Sequence, residues 1–303
     1  MGPKLRDRLQ KLLGDGVRFD VPLARLTSLR VGGPVEAVAT PAHRDEVLAL
    51  LRTCSEAEIP QRVLGSGFNV LAPDEGLPGV VIRLTRFRKL EVIAGGLRAE
   101  AGVSHSQVTR RCCDQGLSGL EFAAGIPGSV GGWLAMNAGI PEREMKDVVR
   151  EVEVAAPDGG SVQRFQRAEL DFQYRELRGL VPGSVLLSAH FDLSPSAQDV
   201  VRSAVDSLLA HRAGSQPLDV PSCGSVFKNP AGERAGRMLE AAGLKGACIG
   251  GAQISPVHAN FIANIGGATS TDVLALIREA QRRVFEQTGT HLETEVHILG
   301  GTP

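Results

Sequence analysis

The chain has almost no net charge: 33 basic residues against 34 acidic ones leave -1 at neutral pH. No broad basic field therefore exists to hold nucleic acid or an acidic membrane surface, and an anionic ligand must be bound by a local site. Cysteines are few and poorly placed for cross-linking. There are five (Cys54, Cys112, Cys113, Cys223 and Cys248), an odd number with one adjacent pair and no C-x-x-C spacing. That set points away from a disulfide framework and from a zinc site, so no metal is expected. Reduced thiols in a cytoplasm are the plain reading. No apolar run approaches the ~18 residues of a membrane span, and Met1 to Gln10 is too charged for a secretory signal. Aromatics are scarce, at 4% with one tryptophan and one tyrosine, whereas glycine is abundant at 36 residues. Glycine at that level suits backbone packed close to a ligand, and equally a loop-rich α/β protein. With 43% hydrophobic residues in 303 positions, the chain can bury the cores of two or three domains.

Periodicity predicts an order of elements. Thr40-Pro41 reads as an N-cap and first helical residue ahead of an amphipathic helix through DEVLALLRTC. A short strand precedes Gly65, GVVIRL (79–84) is a strand, and 90–103 reads as two strands joined at Gly95-Gly96. Residues 104–116 read as a helix stopped by Gly116. Residues 147–165 alternate like a hairpin about Pro157-Asp158-Gly159-Gly160, and 184–193 is a further strand. Helices are expected over 197–212, 233–243 and from Ser270 or Thr271 to near Gly289. Strands are expected over 259–266 and 291–299, and a loop over 220–232. Leu193-Ser194-Pro195-Ser196 is the best domain boundary, and a weaker one lies near 85–90. Three parts follow: 1–88, 89–195 and 196–303.

Two glycine-rich segments stand out. Leu64-Gly65-Ser66-Gly67-Phe68-Asn69 follows a strand, and its glycines allow a sharp turn that exposes successive N–H groups, a nest for phosphate oxygens. Ser66 and Asn69 add side-chain donors. Taken alone, the segment reads more readily as an ordinary tight turn. It is not the dinucleotide fingerprint of a Rossmann unit, since Val70 stands where a third glycine belongs, and no Walker A sequence occurs. In the second segment Gly125, Ile126, Pro127, Gly128 and Ser129 lead into Val130 and two more glycines. Pro127 fixes one turn, and the glycines let a flat ligand lie against main chain. Trp133 reads as a packing residue rather than a stacking platform.

The run LSGLEFAAGIPGSVGG (117–132) resembles that of the UDP-N-acetylenolpyruvoylglucosamine reductases, as does Met136-Asn137-Ala138-Gly139. Further matches follow in chain order: LRVGGP (29–34), LGSG (64–67) with Asn69, Phe172 with Tyr174-Arg175, GSVFKNP (224–230), AAGLKG (241–246), IGGAQ (249–253), HANFI (258–262) and LETEV (292–296). Their joint order over about residues 25–300 carries the resemblance. It implies an α+β fold, with an FAD-binding part of two subdomains of the vanillyl-alcohol-oxidase (PCMH) type and a C-terminal α+β substrate domain. It implies FAD, taken as non-covalent because no histidine or cysteine stands at a clear attachment point. NADPH is the implied co-substrate, and UDP-N-acetylglucosamine enolpyruvate is reduced to UDP-N-acetylmuramate for peptidoglycan. The enzyme is expected to be a cytoplasmic monomer. The spacing from Tyr174-Arg175 to Gly224-Ser225 looks like the shorter of the family's two types, which lacks an inserted loop carrying a tyrosine.

By the same resemblance, Gly65, Ser66, Gly67 and Asn69 hold the FAD pyrophosphate, and Gly125 to Ser129 lie beside the flavin ring. Hydride passes from NADPH to the flavin and on to carbon-3 of the enolpyruvyl group. Negative charge builds on the substrate carboxylate, and a proton reaches carbon-2. Arg175 matches the arginine that holds this carboxylate, Ser225 the proton donor, and Glu295 the acid that assists the enol intermediate. An ordinary serine is a poor acid, so Lys228, three residues on, is a candidate for lowering its pKa. Tyr174, Lys228, Asn229 and His258 are candidate substrate contacts, with Arg212 and Lys245 as further basic candidates. Each residue has a blander reading when taken singly: a surface ion pair, a Gly-Ser turn, a structural histidine, or Glu293 and Glu295 on a solvated strand face. Cys223 stands where a small packing residue is expected. The chain departs from the family pattern at Leu177, where relatives often carry serine, and at Ile140-Pro141-Glu142, where they usually carry Ala-Tyr-Gly. Two other classes compete. An FAD oxidase or dehydrogenase of an alcohol or sugar would need no GSVFKNP segment, and a non-catalytic FAD- or nucleotide-sugar-binding protein would not need Arg175, Ser225 and Glu295 together.

Overall fold

The computed structural model describes residues 1–300. Its α-helices are α1 (Pro3–Leu13), α2 (Arg44–Glu56), α3 (His105–Gln115), α4 (Val130–Ala135), α5 (Gln198–Ser215), α6 (Ala235–Ala241) and α7 (Ser270–Thr288). Local signals account for several of them. α3 opens on a capping box in which Ser104 Oγ accepts from the Gln107 N–H and Gln107 Oε1 accepts from the Ser104 N–H. Gly116 ends it at φ +58°. α7 repeats the arrangement with Thr269 and Asp272, one residue ahead of the expected cap, and stops at Gly289. Its buried stripe Val273, Leu276, Ile277, Ala280 and Val284 has helical spacing. α2 departs from expectation: it begins at Arg44 behind His43, and Thr40 lies outside it, donating its hydroxyl to the Gly16 carbonyl.

The chain divides into two compact units. Unit 1 comprises residues 1–19, 36–66 and 78–212; unit 2 comprises 20–35, 67–77 and the chain from Ala213 on. This differs from contiguous parts with boundaries near 88 and 195, because two early segments join unit 2 and most of α5 stays in unit 1.

Unit 1 holds two main cores. The first gathers Leu9, Val47, Leu50, Leu51 and Ile82 from α1, α2 and a four-stranded sheet ordered Val17–Pro22, Pro34–Ala39, Leu77–Ile82, Gln61–Val63. The second lies on a five-stranded antiparallel sheet ordered Val162–Gln166, Val149–Ala155, Val185–Asp192, Gly96–Glu100, Leu90–Ile93. Leu97, Ala99, Val152, Val154 and Phe191 face that core together with Trp133. Between Val152 and Val154, Glu153 points to the other face and is 2% exposed. It accepts from Ser188 Oγ (2.7 Å), Arg44 (2.5 Å), Arg98 (2.8 Å) and Arg164 Nε (3.1 Å).

Unit 2 is built on a four-stranded antiparallel sheet ordered Ser222–Ser225, Phe261–Asn264, Ala252–Ile254, Cys248–Ile249. Its core joins Leu29, Val31 and Leu71 to Cys223, Phe227, Leu239, Ile277 and Val296. The first strand falls inside the stretch expected as a loop. The strand expected over 291–299 shrinks to a bridge between Phe227 and Thr294 and the pair His297–Ile298, which runs parallel to Val70–Leu71. No helix among the described residues is long and apolar enough to cross a membrane. Among those residues no three His, Cys, Asp or Glu side chains gather as a metal site requires.

Candidate active site

In unit 1 the strand Gln61–Val63 delivers Gly65 and Ser66 to a cavity of about 180 Å³, whose walls include Gly102, Ser129, Gly131 and Gly132. The two glycine segments meet there on bare backbone. A Cβ on Gly65 would lie 3.1 Å from Ser129 Oγ, and one on Gly131 3.0 Å from Ala101 Cβ. Gly125 (φ +72°) and Gly128 (φ +136°) take turns that L side chains rarely adopt. Trp133 is the packing residue expected, and its indole N–H donates to the Ile126 carbonyl at 3.1 Å, tying the segment down. A cleft between bare backbone segments, with Ser66, Ser129 and Ser184 on its walls, fits a flat cofactor bearing phosphates. Arg83, which the sequence reading passed over, reaches the Gly65 carbonyl at 3.5 Å. Burial, and then the Arg18 charge, lower its hold on its proton.

Arg175 occupies the two-residue turn Tyr174-Arg175 between the strands Asp171–Gln173 and Glu176–Arg178. Its φ of +60° is left-handed, which costs a non-glycine residue about 1 kcal/mol or more. The guanidinium is preset: Nη2 donates to the Gly139 carbonyl (3.2 Å), Nη1 lies 3.6 Å from Glu144 Oε1, and the group stands 4.9 Å from the centre of the Tyr174 ring. The departing segment Ile140-Pro141-Glu142 turns a small hairpin in which Gly139–Ile140 pairs with Arg143–Glu144. Both ends of that hairpin thus hold Arg175. Asn137, fully buried, fastens it: Nδ2 donates to Glu144 Oε2 and to the Gln173 carbonyl (both 2.9 Å), and Oδ1 accepts from the Lys146 N–H (3.0 Å). Leu177 pairs with Phe172 and packs on the second core. From α5, Arg212 packs so closely on Gly125 that a Cβ there would lie 2.8 Å from its Cδ. Burial, and then the Arg175 charge, lower its proton affinity as well. The Arg212 and Arg175 charges are thus close enough to feel one another.

In unit 2 the main chain just after Ser225 pairs with the segment that ends in Glu295. Beyond Ser225, which pairs with Phe261, the chain runs antiparallel to residues 293–295. The Glu295 N–H donates to the Val226 carbonyl (2.7 Å) and the Lys228 N–H to the Glu293 carbonyl (2.9 Å). Asn260, 4% exposed, clamps this stretch: its Oδ1 accepts from the Phe227 N–H (3.0 Å) and its Nδ2 donates to the Phe227 carbonyl (2.9 Å). The Lys228 ammonium meets the exposed Glu293 carboxylate at 3.3 Å. Among the described residues no hydrogen bond links it to Ser225, so the help expected for the serine has no contact behind it. Asn229 Oδ1 accepts from the Ala235 N–H at the start of α6 (3.0 Å). His258 Nδ1 accepts from the Asn260 N–H (3.2 Å), and burial lowers the pKa of the ring, so it is neutral at pH 7. Lys245 pairs with Glu240.

Gly67 and Asn69 fall in unit 2, apart from Gly65 and Ser66. A Cβ on Gly67 (φ +75°) would lie 2.1 Å from the Leu26 carbonyl oxygen. The Asn69 amide donates to the main-chain carbonyl of Glu295 (3.0 Å). Cys223 is 1% exposed, and burial pushes its thiol up to about 12, as befits a packing residue.

Residues 216–299 match the profile of the UDP-N-acetylenolpyruvoylglucosamine reductase C-terminal domain, and residues 35–165 that of an FAD-binding domain. The UDP-N-acetylenolpyruvoylglucosamine reductase of Geobacter metallireducens is 44% identical over 301 residues, 99% of each chain. The chain belongs to this reductase family. The Anaeromyxobacter sp. (strain K) reductase is 46% identical, covering 97% of this chain and 89% of its own. The crystal structure of the Thermus caldophilus reductase (MurB) matches with a TM-score of 0.80 at 37% identity, over 93% of this chain and 99% of that one. Alkyldihydroxyacetonephosphate synthase shares the fold alone, with a TM-score of 0.50 at 17% identity over 64% of this chain and 41% of its own. The protein is therefore an oxidoreductase of peptidoglycan synthesis, with a PCMH-type FAD domain and a reductase C-terminal domain, in a family that uses FAD and NADPH.

Proposed function

We propose that this reductase converts UDP-N-acetylglucosamine enolpyruvate to UDP-N-acetylmuramate, driven by NADPH, with Arg175, Ser225 and Glu295 acting on the substrate. The observation that carries this reading is the pairing of residues 226–228 with 293–295, which joins the main chain just after Ser225 to that of Glu295. The bound flavin supplies hydride transfer. Gly65, Ser66 and Ser129 would hold the cofactor on bare backbone, with the Gly125-Ile126-Pro127-Gly128 turn beside its ring. Arg175, its fork already aimed by Gly139 and Glu144, holds the substrate carboxylate and stabilises the negative charge that grows there. The Ser225 hydroxyl delivers its proton to carbon-2, and the Glu295 carboxyl steadies the enol by a shared hydrogen bond. Tyr174, Lys228, Asn229 and His258 contact the rest of the substrate. His258 does so as a neutral donor through Nε2, since its Nδ1 already accepts. Functional parts near 1–88, 89–195 and 196–303 remain part of the proposal; the first core of unit 1 draws mainly on residues before 88 and the second on residues 97–193. A cytoplasmic monomer with non-covalent FAD completes the reading; the five unbridged cysteines bear on the compartment alone.

Anaerobic stopped-flow absorbance tests it. The purified flavoprotein is reduced with NADPH and mixed with the enolpyruvyl sugar. Rapid reoxidation is expected, slowed about 10²–10⁴-fold in Ser225→Ala with the flavin still bound. Reoxidation by air but not by that sugar would sink the reading and favour an oxidase of an alcohol or sugar.

A further inference from the structure

We infer that Asn69 is a positioning residue for Glu295; the inference rests on the role given to Glu295 above. The Asn69 amide donates to the Glu295 carbonyl at 3.0 Å, while the Glu295 N–H donates to the Val226 carbonyl at 2.7 Å. Both peptide groups flanking the Glu295 Cα are therefore tied, one to the residue after Ser225 and the other to the Asn69 side chain. With both ends held, φ and ψ of Glu295 have little freedom, and they fix the direction of its Cα–Cβ bond and so the reach of its carboxyl.

Asn69 is itself anchored. Its carbonyl accepts from the His297 N–H (3.1 Å), and Val70 and Leu71 pair in parallel with His297 and Ile298. Just before it, the Gly67 carbonyl accepts from the Ser28 N–H at 2.9 Å and from Ser28 Oγ at 3.1 Å. The single Ser28 hydroxyl proton is shared with the nearer Ser222 carbonyl at 2.6 Å, at the start of the strand that ends in Ser225. The loop thus reaches both segments of the proton-transfer pair. An amide donor is the required chemistry at position 69. Alanine would leave the Glu295 carbonyl without this partner, and aspartate would set a carboxylate oxygen against it. A misplacement of about 1 Å at a reacting group can cost on the order of 10²-fold in rate.

A double-mutant cycle decides the matter on the FAD-loaded, full-length enzyme. The readout is reoxidation by the enolpyruvyl sugar per bound flavin, followed across pH. Asn69→Ala is expected to slow this step about 10–100-fold and to shift the pH limb that Glu295→Gln abolishes. In the Glu295→Gln background the same change should cost less than about twofold, because contacting residues do not add. An equal factor in both backgrounds overturns the inference and leaves Asn69 as a cofactor contact only. Glu295→Gln without effect of its own would instead remove the proposed role of Glu295. Should Asn69→Ala not fold, Asn69→Asp keeps the shape, loses the donor and serves the same cycle.

Discussion

Glu153→Gln should remove a large part of the acid sensitivity of unit 1. Burial alone would raise the pKa of this carboxyl, but the Ser188 hydroxyl and the Arg44 and Arg98 charges outweigh it and lower the value from 4.5 to about 2. A lowered folded-state pKa means that the folded protein favours the ionised form. The resulting stabilisation is fully present above pH 4.5 and is lost as pH falls through 4.5 towards 2. At about 1.4 kcal/mol per unit, the shift corresponds to about 3 kcal/mol. Arg44 and Arg98 are each 41% exposed, so solvent screening brings this nearer to about 2 kcal/mol. More than half of it should be gone by pH 3. Urea unfolding of the natural protein and the glutamine variant at several pH values gives the test. The gap between the two should be about 2 kcal/mol at pH 7 and should narrow steadily below pH 4.5. A gap that stays constant with pH would refute the assignment of acid sensitivity to Glu153.

Three further outcomes are expected. Gly67→Ala puts a Cβ 2.1 Å from the Leu26 oxygen at a positive φ, so the backbone must shift, and thermal unfolding should show a loss of about 2 kcal/mol or more. Asp74 accepts from the N–H groups of Ser270 and Thr271 at the start of α7. Asp74→Ala should therefore cost about 1–2 kcal/mol in chemical denaturation at pH 7. Burial works against the Asp74 charge, but the Ser270 and Thr271 hydrogen bonds outweigh it and hold its pKa below the ordinary 3.8, so that cost should shrink in acid. A thiol reagent should label one cysteine rapidly in the folded protein, since Cys248 is exposed and the other four are buried; rapid labelling of Cys223 would contradict its placement in the core.

The hairpins spanning 90–100 and 149–166 are legible in the sequence because alternation and turn chemistry act over a few residues. So are α3 and α7, whose caps stand next to them. The membership of unit 2 is not legible. Leu29 receives a hydrogen bond from Asn264, 235 positions away, and no local signal marks a segment for so distant a partner. Ser222-Cys223-Gly224-Ser225 lacks strand-forming residues, and its strand is imposed by pairing with Phe261–Asn264. Of the site, the ordered motifs single out Arg175, Ser225 and Glu295. They do not show that Arg175 is wound left-handed, or that Lys228 faces Glu293. Asn137 and Asn260 also lie in those motifs, yet their work is inward-facing hydrogen bonding that only the folded chain reveals.

The composition of unit 2 sets an order of events during synthesis. Every residue of the two main unit 1 cores lies between Leu9 and Leu193, so those cores can form while the rest of the chain is still being made. Leu29, Val31 and Leu71 are translated early but find their partners only when Ile277, Leu292 and Val296 emerge. Until then these apolar segments hang from a partly folded nascent chain, the kind of exposed surface on which chaperones act. A translational pause between residues 71 and 213 would lengthen that interval.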